Sequence, residues 1–120
     1  MKYLSIPFSH SNPSVVQERM TMFWKALAHR ITISKEVVVS PMTLYPMLDY
    51  VPHIPTNYDY WGPYSESLLS QCDTLYVLML EGWKESKGVQ GEIDFAMNHK
   101  IQIIYLSPLT FEPISIKNSD

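Results

Sequence analysis

A chain of 120 residues, 46% of them hydrophobic, is long enough to bury one core and too short for two well-packed domains. A net charge of −3 with no run of Lys and Arg excludes the basic face that a nucleic-acid backbone requires, so no nucleic acid polymer is expected as a partner. The single cysteine, Cys72, excludes an internal disulfide and fits a reducing compartment.

The apolar run at the N-terminus is short and is broken by Pro7, which does not suit a signal peptide. No stretch approaches the roughly eighteen apolar residues of a membrane span. A soluble, cytoplasmic protein with no membrane partner is expected.

Tyr3 to Ile6 is β-prone and stops at Pro7, which predicts a buried first strand. Phe8 to Asn12 is a polar loop, and Asn12-Pro13 is a helix start, with Asn as cap and Pro at the first helical position. Val16, Met20, Phe23, Trp24 and Leu27 recur at helical spacing and predict one apolar face through about Arg30. Glu36 to Ser40 predicts a second strand, buried on both faces because Val37, Val38 and Val39 do not alternate with polar residues. Pro41 to Pro63 holds five prolines and predicts a long irregular connection, of the kind that often serves as a functional lid.

A short helix is expected from about Pro63 to Gln71, with Leu68 and Leu69 inward, and the strongest strand from Thr74 to Leu80. Glu81 to Gly88 is a polar loop. Val89 to His99 predicts a helix with Val89, Ile93, Ala96 and Met97 inward, and Ile101 to Leu106 a fourth strand. The tail, 109–120, holds one more strand or covers a neighbour.

Strands alternating with helices imply βαβ units with right-handed crossovers. The expected fold is a single α/β domain over 1–120, a three-layer Rossmann or flavodoxin-like arrangement. It has a parallel sheet of four to five strands and helices on both faces. Ligands in such sheets bind beyond the carboxyl ends of the strands, near the point where strand order reverses. That rule selects three loops: Pro7 to His10, Ser40 to Leu44 and Glu81 to Gly88.

The richest segment is Glu81 to Glu92. Ser86 precedes a helix start, and Gly88 allows a close backbone approach. Free amides and the helix dipole there suit an anion such as a phosphate, even without lysines. Glu92 lies about one turn into the helix, within reach of the same pocket. The plainer reading makes Ser86 an ordinary cap and Glu92 a solvated carboxylate.

The run Ser86-x-Gly88-Val89-x-x-Glu92-Ile93-x-x-Ala96 resembles the signature of the nucleoside 2-deoxyribosyltransferase-like superfamily. Tyr3-Leu4-Ser5-Ile6 and Leu68-Leu69-x-x-Cys72-Asp73-x-Leu75 are similar to its first strand and to its helix entering the central strand. The resemblance implies that Glu92 is the nucleophile at the anomeric carbon, where a carboxylate suits an oxocarbenium-like transition state. It implies that Tyr3 orients that carboxylate, Ser86 contacts a 5′-phosphate, and Pro7, Phe8 and Ser9 line the base or sugar. Tyr3 and Phe8 also read as ordinary core aromatics. Relatives of this fold assemble as dimers or larger oligomers, so a homo-oligomer is expected.

One position departs from the pattern. The superfamily carries an aspartate eight residues before the position of Asp73, assisting protonation of the leaving base; Ser65 stands there in this chain. Asp59 substitutes if its loop folds over the site. Tyr58, Tyr60, Trp61 and Tyr64 either stack a base or pack an interface, and Trp83 is open to the same two readings. His10, His29, His53 and His99 lack metal-ligand spacing, so neither a metal nor another cofactor is expected; His10 alone is placed to touch a ligand. Cys72 reads as a small core residue.

Two functions follow. One is an N-glycosidase that releases or transfers the base of a nucleoside or nucleotide through Glu92. The other is a non-catalytic protein that binds such a molecule as a signal; Ser65 favours it, and the pair Tyr3 and Glu92 favours the enzyme.

Overall fold

The computed structural model describes residues 1–115; the rest of the C-terminal tail lies outside the described residues. The elements run β1 (Lys2–Ser5), α1 (Pro13–Thr32), β2 (Val38–Val39), a 3₁₀-helix (Pro41–Asp49), α2 (Tyr58–Leu69), β3 (Thr74–Leu78), α3 (Lys87–Asn98), β4 (Gln102–Leu106) and β5 (Pro113–Ile114). The sheet order is β2-β1-β3-β4-β5. β1 to β4 are parallel, whereas β5 returns antiparallel to β4, pairing Tyr105 with Ile114. The parallel part therefore ends at four strands. The reversal is tight: Ser107 Oγ accepts from the amides of Leu109 and Thr110, and Phe111 takes a φ of 61°. A turn this short can only produce an antiparallel neighbour.

Alternation along the strands separates the two faces. Leu4, Ile6, Tyr76 and Leu78 pack under α1, against Met20, Phe23, Ala26 and Leu27. Tyr3, Leu75 and Val77 pack on the other side, against Leu69 of α2 and Val89, Ile93 and Ala96 of α3. Cys72 lies in that second cluster as a core residue. The result is the three-layer α/β arrangement with helices on both faces. Strand order reverses at β1, so the connection leaving β1 packs as α1 on one face and that leaving neighbouring β3 as α3 on the other, which opens a crevice at the strand ends.

Local chemistry fixes α1 as expected: Asn12 Oδ1 accepts from Ser14 N at 2.9 Å, with Pro13 at the first helical position. Its buried stripe runs through Ala26, and Trp24 is 39% exposed with its edge against Phe23. Met97, expected inward, is also exposed, because it is turned about 100° from buried Ala96 near the end of the helix.

Three boundaries differ from expectation. β2 shrinks to two residues, with Val37 exposed, because it is an edge strand and needs no burial on both faces. The segment before it is drawn sideways, since Arg30 Nε and Tyr76 Oη both donate to the Glu36 carboxylate, at 2.9 and 2.6 Å. The proline-rich connection is largely ordered as a 3₁₀-helix, in which Met42, Tyr45 and Leu48 recur every third residue. α2 starts at Tyr58 and runs through Pro63. That proline forfeits one helical hydrogen bond, near an end where amides already lack intrahelical partners.

Candidate functional site

A cavity of about 400 Å³ opens at the carboxyl ends of β1 and β2. The segments after β1 and β2 border it, as does the start of α3, and the 3₁₀-helix with the start of α2 forms the far wall. Ligand pockets commonly fall in this size range.

On the cavity floor, β1 and α3 bring together two groups that lie 89 residues apart. Tyr3 Oη donates to Glu92 Oε2, and Ser5 Oγ donates to Glu92 Oε1 at 2.5 Å. Tyr3 and Ser5 are two residues apart on a strand and so face the same helix layer. Glu92 lies on the same side of α3 as Val89, Ile93 and Ala96 and is only 8% exposed. It is therefore no solvated helix carboxylate.

Burial pushes Glu92 up to about 7, against the pull of the Ser5, Tyr3 and Ser65 hydroxyls that stabilise its charge. Burial, reinforced by the Glu92 charge, holds the Tyr3 hydroxyl well above its ordinary value, so Tyr3 remains a donor. A carboxylate held by two donors beside a cavity is oriented and only partly ionised at neutral pH. It can act as a nucleophile or as a base.

Of the residues singled out in the sequence, Tyr3, Phe8, Ser9, Trp61, Ser86, Gly88 and Glu92 meet around this cavity. Ser86 also caps α3, its Oγ accepting from Val89 N at 3.2 Å. Phe8 stands edge-on to Tyr45 at 5.3 Å, and Trp61 donates its indole N–H to the Pro55 carbonyl at 2.7 Å, tying the wall to α2.

Three others fall outside the lining. Pro7 is buried in the fold beyond β1. Asp59 is on the exposed first turn of α2, bonded to Lys87 Nζ at 2.9 Å, and does not fold over the site. Trp83 packs on Tyr105 at 5.4 Å, held there by apolar neighbours under its loop. His10 borders a separate small cleft, where its Nδ1 accepts from Asn12 N.

Four roles escape the sequence reading. Ser5 was signalled by its two-residue spacing from Tyr3. Buried Ser65 joins the Glu92 cluster as a hydroxyl. The 3₁₀ wall was signalled by its period of three.

The fourth is Arg19. Its Nη1 donates to the carbonyls of Ser9 at 3.0 Å and Phe8 at 3.4 Å, and its Nη2 to that of Glu81 at 2.9 Å. Gly82 has a φ of 91°, and a Cβ there would stand 2.6 Å from Nη2, so glycine is required. One guanidinium thus joins the loops after β1 and β3. Arg19→Gln is expected to speed amide exchange in 7–10 and 81–86 together, by roughly tenfold or more, with β1 and β3 unchanged. Loosening of one loop alone would sink the idea.

Among the described residues no helix is long and apolar enough to cross a membrane, and no group of three or more potential metal ligands comes together. The chain has no match among curated proteins. Residues 1–107 match the family described as Domain of unknown function (DUF1937), and the chain belongs to that family.

Proposed function

We propose that the protein is an N-glycosidase that releases or transfers the base of a nucleoside or nucleotide. The observation that carries this reading is the buried Tyr3–Glu92–Ser5 cluster on the floor of a ligand-sized cavity. The Glu92 carboxylate attacks the anomeric carbon, the C–N bond breaks with its electron pair passing to the base, and a sugar ester forms. Water, or a second base, then displaces Glu92 and regenerates the carboxylate. Tyr3 and Ser5 orient the nucleophile, and the rings of Phe8 and Trp61 offer surfaces to a base. The strand order 2-1-3-4-5 and the meeting of Tyr3 with Glu92 support placing the chain in the nucleoside 2-deoxyribosyltransferase-like superfamily. A cytoplasmic location is part of the same reading.

The test is chromatography for free base after incubation with a panel of nucleosides and deoxynucleoside monophosphates, beside a Glu92→Gln control. Base release that persists in the control rejects Glu92 as nucleophile. The second reading, a protein that binds such a molecule without cleaving it, is favoured by Ser65 at the expected acid position and by Asp59 outside the cavity. A rise in melting temperature with nucleoside, without base release, would select it.

The partner proposed for the outer face is a second copy of the chain. Tyr60, Trp61 and Tyr64 form an edge-to-face ladder with centroids 5.6 and 5.3 Å apart, and Tyr60 and Tyr64 are half exposed. A scattering mass of at least two chains is expected; a mass of one chain removes the proposal.

A further inference from the structure

Cleaving an ordinary N-glycoside has two requirements: a nucleophile at the anomeric carbon and a proton for the departing base. A neutral base would otherwise leave as an anion. The cavity meets the first requirement plainly. For the second, Ser65 supplies only a hydroxyl, already turned to the Tyr3–Glu92 pair, and Asp59 lies outside the lining, held by Lys87.

Among the described lining residues the carboxylates are Glu92 and Glu85. Glu85 is exposed at the rim, ahead of the α3 cap. The one lining cation, Lys87, is bonded to Asp59 at 2.9 Å. The remaining walls carry four aromatic rings, those of Phe8, Tyr45, Tyr58 and Trp61. Aromatic faces together with carboxylates favour a cation.

From this combination we infer that the preferred substrate is an N-glycoside whose base already carries a positive charge, such as a pyridinium or N-alkylated purine nucleoside. The inference rests on the N-glycosidase reading. Glu92 supplies an electron pair to the anomeric carbon, and the C–N pair flows back onto the cationic ring, which leaves as a neutral molecule. No proton is transferred to the base. Water then attacks the same carbon, the bond to Glu92 breaks, and the proton lost from water passes to solvent. The missing acid is therefore a feature of specificity.

The test compares nicotinamide riboside with its reduced, uncharged dihydro form, and 7-methylguanosine with guanosine. Because general acid catalysis commonly contributes roughly 10²–10⁴-fold, kcat/KM for each cation is expected to exceed that for its neutral partner by about 100-fold or more. The pH profile with nicotinamide riboside, whose charge is permanent, is expected to rise through a single limb near neutrality and then stay level. Neutral substrates turned over within about tenfold of the cations would overturn the inference while leaving the N-glycosidase standing. A descending limb that Glu85→Gln removes would also overturn it, by making Glu85 the acid.

If no base is released from any substrate, the N-glycosidase reading fails instead. Binding then decides the charge preference, by thermal shift and calorimetry with the same pairs. Tighter binding of the cations keeps the cation site; equal or absent binding removes it.

Discussion

Glu92→Gln is expected to abolish base release and, above neutral pH, to raise the melting temperature. The two effects share one cause. As nucleophile, Glu92 forms the bond to the sugar, and its loss should lower turnover by on the order of 10³-fold or more. As a buried carboxyl, it is raised from an ordinary 4.5 to about 7, chiefly by burial. Between those values the folded protein keeps a proton that the unfolded chain has released. Stability is therefore full below about pH 4.5, falls as pH rises through 7, and is level above it.

The gap corresponds to on the order of 3 kcal/mol. Gln carries no charge at any pH and can still accept from one of the Tyr3 and Ser5 hydroxyls. The variant should lack this decline and melt several degrees, up to roughly 10 °C, above the parent at pH 8.5. Near pH 5 the two should lie closer together. Parallel melting curves across that range would show that Glu92 is not the group responsible. Activity of the parent should rise in the same window, because attack needs the ionised form. Catalysis and stability then oppose each other across neutral pH, as expected for a site that holds a charge the fold would rather neutralise.

The elements that carry this site were legible to different degrees, for physical reasons. α1 and the cap of α3 are local events, written in Asn12-Pro13 and in Ser86, so the chain announced them. β3 was legible because its run is buried on both faces. Glu92 was ambiguous: a carboxylate one turn into a helix usually meets water, and the contrary evidence is a stripe whose other members are 89, 93 and 96. Only the resemblance paired it with Tyr3, across a separation that no local rule spans. Asp59 and Trp83 were misplaced because loop and helix-start side chains take direction from tertiary neighbours, here Lys87 and Tyr105. Arg19 gave no signal, since its partners are backbone carbonyls that have no sequence identity.

Gly91→Ala tests how closely α2 and α3 must approach to hold Glu92 in place. Three of the four glycines, Gly62, Gly88 and Gly91, surround the Tyr58 ring. A Cβ at Gly91 would overlap the Tyr58 ring and hydroxyl, while the ring is flanked at 3.4 and 3.5 Å by the Cβ positions of Gly62 and Gly88. Alanine is the better helix former by about 1 kcal/mol, but overpacking of this kind costs about 1–3 kcal/mol. The overlap wins, for a net loss of up to about 2 kcal/mol and a melting temperature lower by several degrees, up to roughly 10 °C. Because residue 91 adjoins Glu92, the displaced helix should also weaken base release.

The sign should reverse when the ring is removed. In a Tyr58→Ala background the same Gly91→Ala change no longer meets the ring and should stabilise by up to about 1 kcal/mol through helix propensity. A destabilisation that persists in the double variant would mean that α3 backbone strain, and not the Tyr58 contact, requires glycine. Tyr58→Phe separates a further contribution. The Tyr58 hydroxyl is buried without a hydrogen-bond partner among the described residues, and burial followed by the Glu92, Glu66 and Asp94 charges pushes it up to about 12. Deleting an unsatisfied buried hydroxyl removes a desolvation cost of about 1–3 kcal/mol and leaves the ring in its slot. The phenylalanine variant should therefore melt higher than the parent, and a lower value would show that the hydroxyl is satisfied in solution.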